Sequence, residues 1–314
     1  MRVATNSYSD AMLNQFSVLA NRLNSLQTQS ATGLSVQAPS DNPSAMQDTL
    51  NYLSDKAEQT QYSSNISTLQ TRATSVGNVL SSLQTLTSRA QEIVTSATSG
   101  TAAQSNLDSY ASEVQQLTQE AVQLMNTKDA STGQYLFGGT NSTVPPYVAT
   151  TDTNGNITGV TYQGDASVNQ TAIASGVTVT VDVPGANTST SGTRGLITDA
   201  TSGADLFNHL ISLANDLTAG DTSAISGTDS ANLQNDSDNV LYQVSSNGAV
   251  QTHLESAATF ASSQSTSLDT QISNTAGANL SDTLVQLSQA QTAYQAALES
   301  SAKIMGLSIL NYLS

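Results

Sequence analysis

Apolar side chains recur in steps of four and three through the last stretch of the chain. They fall at Leu280, Leu284, Leu287, Gln291, Tyr294, Leu298, Ser301, Met305, Ser308 and Tyr312, with polar residues at three of the ten places. This is the seven-residue repeat of a coiled coil. The stretch holds no proline, and only Gly306 is a weak helix former. At about 1.5 Å per residue it predicts a rod of roughly 50 Å. A single helix cannot bury such a seam against itself. Met12, Phe16, Leu19, Leu23 and Leu26 follow the same spacing near the start, continued by Ser30 and Gly33. The two ends are therefore expected to pair with each other or with neighbouring copies. Everything between them is then an insertion in one long hairpin. These residues, with Leu307 and Leu310 beside the last seam, form the candidate assembly interface. Gln291, Ser301 and Ser308 interrupt the seam, and polar seam residues commonly set register or partner number.

The segment between the ends is mostly helical in pattern. Residues 1–5 are expected to fray, with Asn6, Ser7 or Ser9 as the N-cap of the first helix and Gly33 ending it. Pro39 and Pro43 then enforce a knuckle, and Asp41-Asn42-Pro43 places proline at the first position of a new helix. That helix runs from about residue 44 to 99. Its seam is Tyr62, Ile66, Leu69, Ala73, Val76, Leu80, Leu83, Thr87, Ala90, Val94 and Ala97. Met46, Leu50, Leu53 and Ala57 lie in another phase, so a stutter is expected between Leu53 and Tyr62. A third helix carries Leu107, Tyr110, Val114, Leu117, Ala121 and Leu124, antiparallel to the second.

After Lys128 the period changes. Two runs, 147–151 and 157–162, flank Asn154-Gly155, which predicts a β-hairpin. Residues 178–183 alternate with period two and predict a strand. Residues 185–195 are expected to be a flexible exit. Helical spacing returns at Leu206, Leu210, Leu213 and Leu217. A polar loop over 220–229 follows, then a helix from 231 to about 274 with a kink at Asn247-Gly248. Asn279 or Ser281 is placed to cap the last helix. The predicted fold class is mainly α: a long-helix bundle with a terminal N/C coiled coil and an inserted small β-rich domain. The expected divisions are 1–42 with 277–314, 43–140 with 200–276, and 141–199.

Composition narrows the partners. Eight basic residues stand against 24 acidic ones, for a net charge of -16. Arg194 is the only basic residue between Lys128 and Lys303. Nucleic acid and anionic lipid surfaces are disfavoured by that charge. No apolar run is long enough to span a membrane, so no membrane insertion is expected. Charged residues make up only 10% of the chain, and uncharged polar residues form the outer faces. That suits many closely packed copies. With no cysteine, disulfides and thiolate chemistry are excluded. The first residues lack an apolar core of signal-peptide length, so export is expected to proceed without a cleaved signal peptide.

No nucleotide, nucleophile-elbow, zinc or EF-hand motif occurs. Residues 152–156 hint at a calcium loop, but the glycine is misplaced and a hairpin turn is the simpler reading. His209 and His253 each stand alone on predicted helices, a poor basis for catalysis. The carboxylates are scattered, and none forms a recognisable acid–base pair. No cofactor and no enzymatic activity are expected.

Four stretches resemble the flagellin superfamily, and within it the hook-associated protein 3 family of junction subunits. GLSVQAPSDNPSAM (33–46) resembles the family's knuckle, and GQYLFGGTNSTVPPY (133–147) the exit into its variable domain. DLFNHLISLANDL (205–217) resembles the return helix, and QTAYQAALESSAKIMGLSILNYL (291–313) the C-terminal signature. The FGG form favours the junction family over filament flagellin. One departure is plain: Arg89 and Glu92 match a receptor-read patch of filament flagellins, but Gln91 stands where that patch has a second arginine.

The resemblance implies an inner coiled coil of the two termini, a helical bundle outside it, and an outward β domain. It implies terminal helices that fold on assembly. It also implies a secreted structural subunit at the hook–filament junction of the bacterial flagellum. The partners implied are hook-associated protein 1, flagellin, further copies in a ring, and a cytoplasmic export chaperone on the C-terminal helix. Filament flagellin and a stalked surface adhesin are the alternatives.

Overall fold

A computed structural model describes residues 2–99 and 103–313, with side-chain surroundings for 10–99 and 103–303. The chain forms two compact units, one of Met1–Thr60 with Ser263–Ser314 and one of Gln61–Ser262.

In the first unit, helix α1 (Arg2–Thr32) begins earlier than expected, so Asn6, Ser7 and Ser9 lie within it rather than capping it. Gly33, at φ +72°, ends it by donating its N–H to the Gln29 carbonyl. Leu34 bridges Gly277, and Ser35 N–H donates to the Ala276 carbonyl. The Asp41 carboxylate accepts the Gln37 and Ala38 amides, which holds its pKa below the usual carboxylate value. Pro43 opens helix α2 (Pro43–Ala97), and Asn42 caps it by accepting the Ala45 N–H at 3.1 Å. The first turns of α2 differ from the sequence pattern. Leu50 and Leu53 are exposed, whereas Thr49 is buried and Tyr52, Lys56 and Gln59 are half-buried. Lys56 pairs with Asp269. Helix α7 (Leu280–Leu313) completes the unit, and Asn279 caps it through the Asp282 N–H.

The second unit holds the core. The α2 seam from Ile66 to Ala97 is buried as the spacing requires. Helix α3 (Gln104–Met125) buries Leu107, Ala111, Val114, Thr118, Ala121 and Met125. Arg89 spans α2 and α3 with two hydrogen bonds to Glu113. Strands β1 (Tyr147–Thr151) and β2 (Ile157–Tyr162) form the expected antiparallel hairpin, Tyr147 opposite Tyr162. The Asp152 carboxylate accepts the Asn154 and Asn156 amides within its turn.

Strand β3 (Thr171–Ala174) pairs with β4 (Val177–Val179), which is shorter than the alternation suggests. The chain leaves the ladder because Asp182 turns inward. It accepts from Arg72 Nε at 2.8 Å and from the Asn169 amide at 3.0 Å. The exit at 185–195 is tied down. Asn187 Nδ2 donates to the Ser191 and Thr193 carbonyls, and β5 (Ala186–Asn187) lies parallel to β6 (Thr198–Asp199). Strand β6 also pairs with β7 (Ala204–Asp205).

Helix α4 (Leu206–Ala219) buries Leu206, Phe207, Leu210, Leu213, Ala214 and Leu217. The expected polar loop is instead a short helix α5 (Thr222–Ala224) and a π-helical turn (Ile225–Asp229). Helix α6 (Ser230–Ala276) then runs unbroken through Asn247-Gly248. Asn247 Nδ2 reaches the Ala73 carbonyl, so the polar residue serves packing rather than a break.

The FGG stretch is a clasp in this unit. Gly138 passes so close to Asn141 that a Cβ would lie 2.6 Å from its carbonyl oxygen. Gly139 is at φ +66°, where a Cβ would meet the Asp165 carbonyl oxygen at 2.2 Å. The Tyr162 hydroxyl lies 3.0 Å from the Phe137 carbonyl oxygen and 2.9 Å from that of Asp165.

Candidate assembly surface

Helices α1 and α7 pack on each other in antiparallel register. The rings of Phe16 and Tyr294 meet edge to face at 6.1 Å, and the Leu34–Gly277 bridge closes the pair at the knuckle end. On α1 the expected seam faces inward. Leu26 is buried, and Met12, Phe16, Leu19 and Leu23 are half-buried.

On α7 three of the seven expected seam positions with described side chains do so. Leu287 and Tyr294 are half-buried, but Leu280, Leu284, Gln291 and Leu298 are exposed. Ser301 is buried as the repeat predicts, but the inward places between the others belong to Thr283, Ala290 and Ala297. The true seam is thus 283, 287, 290, 294, 297 and 301, again in steps of four and three. Moving alternate positions by one residue turns the inward face by about 50°. Bulky residues on α1 account for the shift, because small ones opposite them let the two backbones close up. The hydroxyls of Thr283 and Ser301 cost nothing in the seam, since they donate to the carbonyls of Asn279 and Ala297 one turn earlier. Met305, Leu307 and Leu310 lie outside the described side chains.

Three of the exposed leucines share an orientation, while Leu280, Val18 and Val285 are exposed at other positions of the repeat. Leu13 follows seam residue Met12, as Leu284 and Leu298 follow Thr283 and Ala297. These are equivalent positions of the repeat, and in an antiparallel pair equivalent flanking positions lie on the same side. Residue 16 stands opposite 294, which puts Leu13 level with Leu298. The pair therefore presents a one-sided apolar flank of Leu13, Leu284 and Leu298, with Gln291 between the last two. This flank is also free of net charge. Residues 2–32 hold Arg2, Asp10 and Arg22, and residues 280–313 hold Asp282, Glu299 and Lys303, three of each sign. The whole excess of 16 negative charges lies elsewhere.

The residues considered for chemistry are placed differently. His253 is exposed. His209 Nδ1 lies 2.8 Å from Asp236 Oδ2. Burial opposes charge on His209, but the hydrogen bond and charge of Asp236, with Asp205 and Asp229 behind, leave its pKa raised. Arg72 bridges the buried Asp182 and Asp129, a structural tie. Among the described residues, no cluster of His, Asp or Glu is arranged to hold a metal ion. No described helix is long and apolar enough to cross a membrane.

Comparison with known proteins gives the family context. Residues 3–142 match the bacterial flagellin N-terminal helical region. No match was found among curated protein sequences. Among solved structures, a putative flagellar hook-associated protein from Vibrio parahaemolyticus is similar, with TM-score 0.64 at 19% identity. That alignment covers 76% of this chain and 100% of the other. FlgL of Xanthomonas campestris has TM-score 0.55 at 19% identity, over 69% of this chain and 98% of its own. FlgL of Bacillus cereus has TM-score 0.55 at 18% identity, over 71% and 99%. Residues 3–142 are therefore similar to the bacterial flagellin N-terminal helical region, and the chain has the fold of these flagellar hook-associated proteins, in line with the resemblance read from the sequence.

Proposed function

We propose that this chain is a secreted structural subunit of the bacterial flagellum that joins the hook, through hook-associated protein 1, to the flagellin filament. Copies assemble into a ring through α1 and α7. The candidate residues Met12, Phe16, Leu19, Leu23, Leu26, Leu287 and Tyr294 hold the pair together. Leu280, Leu284, Gln291 and Leu298, with Met305, Leu307 and Leu310 further along, meet neighbouring subunits. The single observation that carries this reading is the apolar, charge-balanced flank of the terminal pair. An exposed leucine row on a strongly acidic protein is poorly explained in a lone molecule, because burying each leucine gains about 1.5–3 kcal/mol. Ordering each backbone residue costs about 1–2 kcal/mol, so the ends reach full order only when that row is covered. Before export, a cytoplasmic chaperone covers the C-terminal helix. The terminal coiled coil (1–42, 277–314) then makes the contacts between copies, and the helical bundle (43–140, 200–276) and the β-rich part (141–199) are the other two divisions of the subunit.

Gold-labelled antibody raised against residues 141–199, applied to purified flagella, tests the location. Label confined to a narrow band between hook and filament is expected. Label along the whole filament would make the chain a filament flagellin, and label on the cell body would make it an adhesin.

A further inference from the structure

Between α4 and α6 the larger unit buries a carboxyl group that has no hydrogen-bond donor. The chain leaves α4 at Gly220, φ +70°. Asp221 then caps α5 by accepting the Ser223 and Ala224 amides. The π-helical turn Ile225–Asp229 follows, and its wide winding places both of its end residues inward. Ile225 joins the main apolar core. Asp229 is fully buried, and neither of its carboxyl oxygens finds a donor. An orphaned buried carboxylate is costly to keep.

The groups that face it are mostly acids. Asp216 and Ser212 approach from α4, and Ser212 Oγ also donates to Asp216 at 3.4 Å. His209, also on α4, is committed to Asp236 of α6. The other oxygen of Asp236 accepts the Asp205 amide from β7 at 2.9 Å. Three carboxyls, Asp236, Asp205 and Asp229, thus act on one imidazole, and no metal-holding cluster exists among the described residues. The Ser212 hydroxyl is the one donor that reaches this pair of carboxyls, and a shared proton supplies a second.

We propose that Asp229 and Asp216 share one proton, and that this proton is the latch that docks the π-helical turn against α4. Loss of the proton leaves two facing carboxylates and releases residues 222–229. The electrostatics agree with the geometry. Burial first, then the charge and hydrogen bonding of Asp216, push the Asp229 pKa from 3.8 up to about 6, against smaller opposing pulls from the Ser212 hydroxyl and then His209. A carboxyl that binds its proton more tightly when folded adds stability that is complete below 3.8 and is lost as pH rises through about 6. The raised pKa of His209 acts in the same sense, present below 6.5 and lost as pH climbs through its folded value. Burial raises Asp236 as well, again favouring the docked turn in acid.

Hydrogen exchange of the full chain, corrected for the intrinsic pH dependence of amide exchange, tests this. Opening of residues 222–229 should increase about tenfold between pH 5 and pH 8. Asp229→Asn brings its own donor to Asp216, so its opening should lose that tenfold change and keep only the dependence that His209 and Asp236 contribute. An Asp229→Asn chain that keeps the tenfold change would overturn the proposal. So would closure of the wild-type turn at pH 8 by millimolar calcium, which would assign the site to a cation. If the variant does not fold, carbon NMR of the wild-type carboxyls decides. Titration of Asp229 near 6 supports the latch, and titration near its ordinary value refutes it.

Discussion

Replacing Leu13, Leu284 and Leu298 together with glutamine should leave the α1–α7 pair intact and weaken association between copies. The magnitude follows from what each side chain still has to bury. Leu13 is 66% exposed, Leu284 53% and Leu298 46%. With full burial of a leucine contributing about 1.5–3 kcal/mol, covering the remaining area on all three gains about 3 kcal/mol per subunit. That corresponds to roughly two orders of magnitude in an association constant. Leu26→Ala is the contrasting change. Leu26 is only 6% exposed, so its loss should cost the pair itself about 2–5 kcal/mol. Sedimentation velocity over a concentration series, with far-ultraviolet circular dichroism on the same samples, separates the two effects. The triple variant should shift assembly to about 100-fold higher concentration with unchanged monomer helicity. Leu26→Ala should lower the helicity of the free chain. If the triple variant assembles like wild type, the flank is not an interface. If it loses monomer helicity, those leucines hold the pair together and the rotated seam is wrong.

Two further substitutions probe the larger unit. Gly139→Ala puts a Cβ against the Asp165 carbonyl oxygen at φ +66°, and should cost at least about 2 kcal/mol in thermal unfolding; an unchanged melting temperature would show that the FGG clasp is not under steric constraint. Arg72→Met strands the buried carboxylates of Asp129 and Asp182, and should destabilise by about 3–5 kcal/mol at neutral pH. Acid should narrow that gap as Asp129 protonates, a carboxyl that, against its burial, Ser131, Thr132 and Arg72 hold below the usual carboxylate value, and a pH-independent loss would point to packing instead.

The terminal pairing was legible from spacing alone, because both ends repeat in sevens. Which face of α7 turns inward was not. Leu284 and Leu298 outrank Thr283 and Ala297 on any hydrophobic scale, yet the smaller residues take the seam because, in the register set by Phe16 and Tyr294, Met12, Leu19 and Leu26 fill the space beside them. That is steric complementarity between segments far apart in sequence. Thr283, Ala290 and Ala297 do recur at sevens, which was the available signal. The first turns of α2 misled in the same way, with Leu50 and Leu53 outward and Thr49 inward. The hairpin at Asn154-Gly155, the Asn42-Pro43 helix start and the Gly33 stop are local chemistry and read correctly. The short β4 and the ordered segment at 185–195 depend on long-range partners, Arg72 for Asp182 among them, which no local pattern encodes. Asp229 reads as a loop residue until the π-helical turn carries it inside.

Hydrogen exchange of the full chain, free and assembled, tests most directly the claim that the terminal helices complete their folding on assembly. In the free chain, amides of residues 2–32 and 280–313 should exchange at least about 100-fold faster than those of the α2 core between 66 and 97, and should become protected in the assembled state. Equal protection of both regions in the free chain would mean that α1 and α7 are stable in one molecule, and the assembly account would fall.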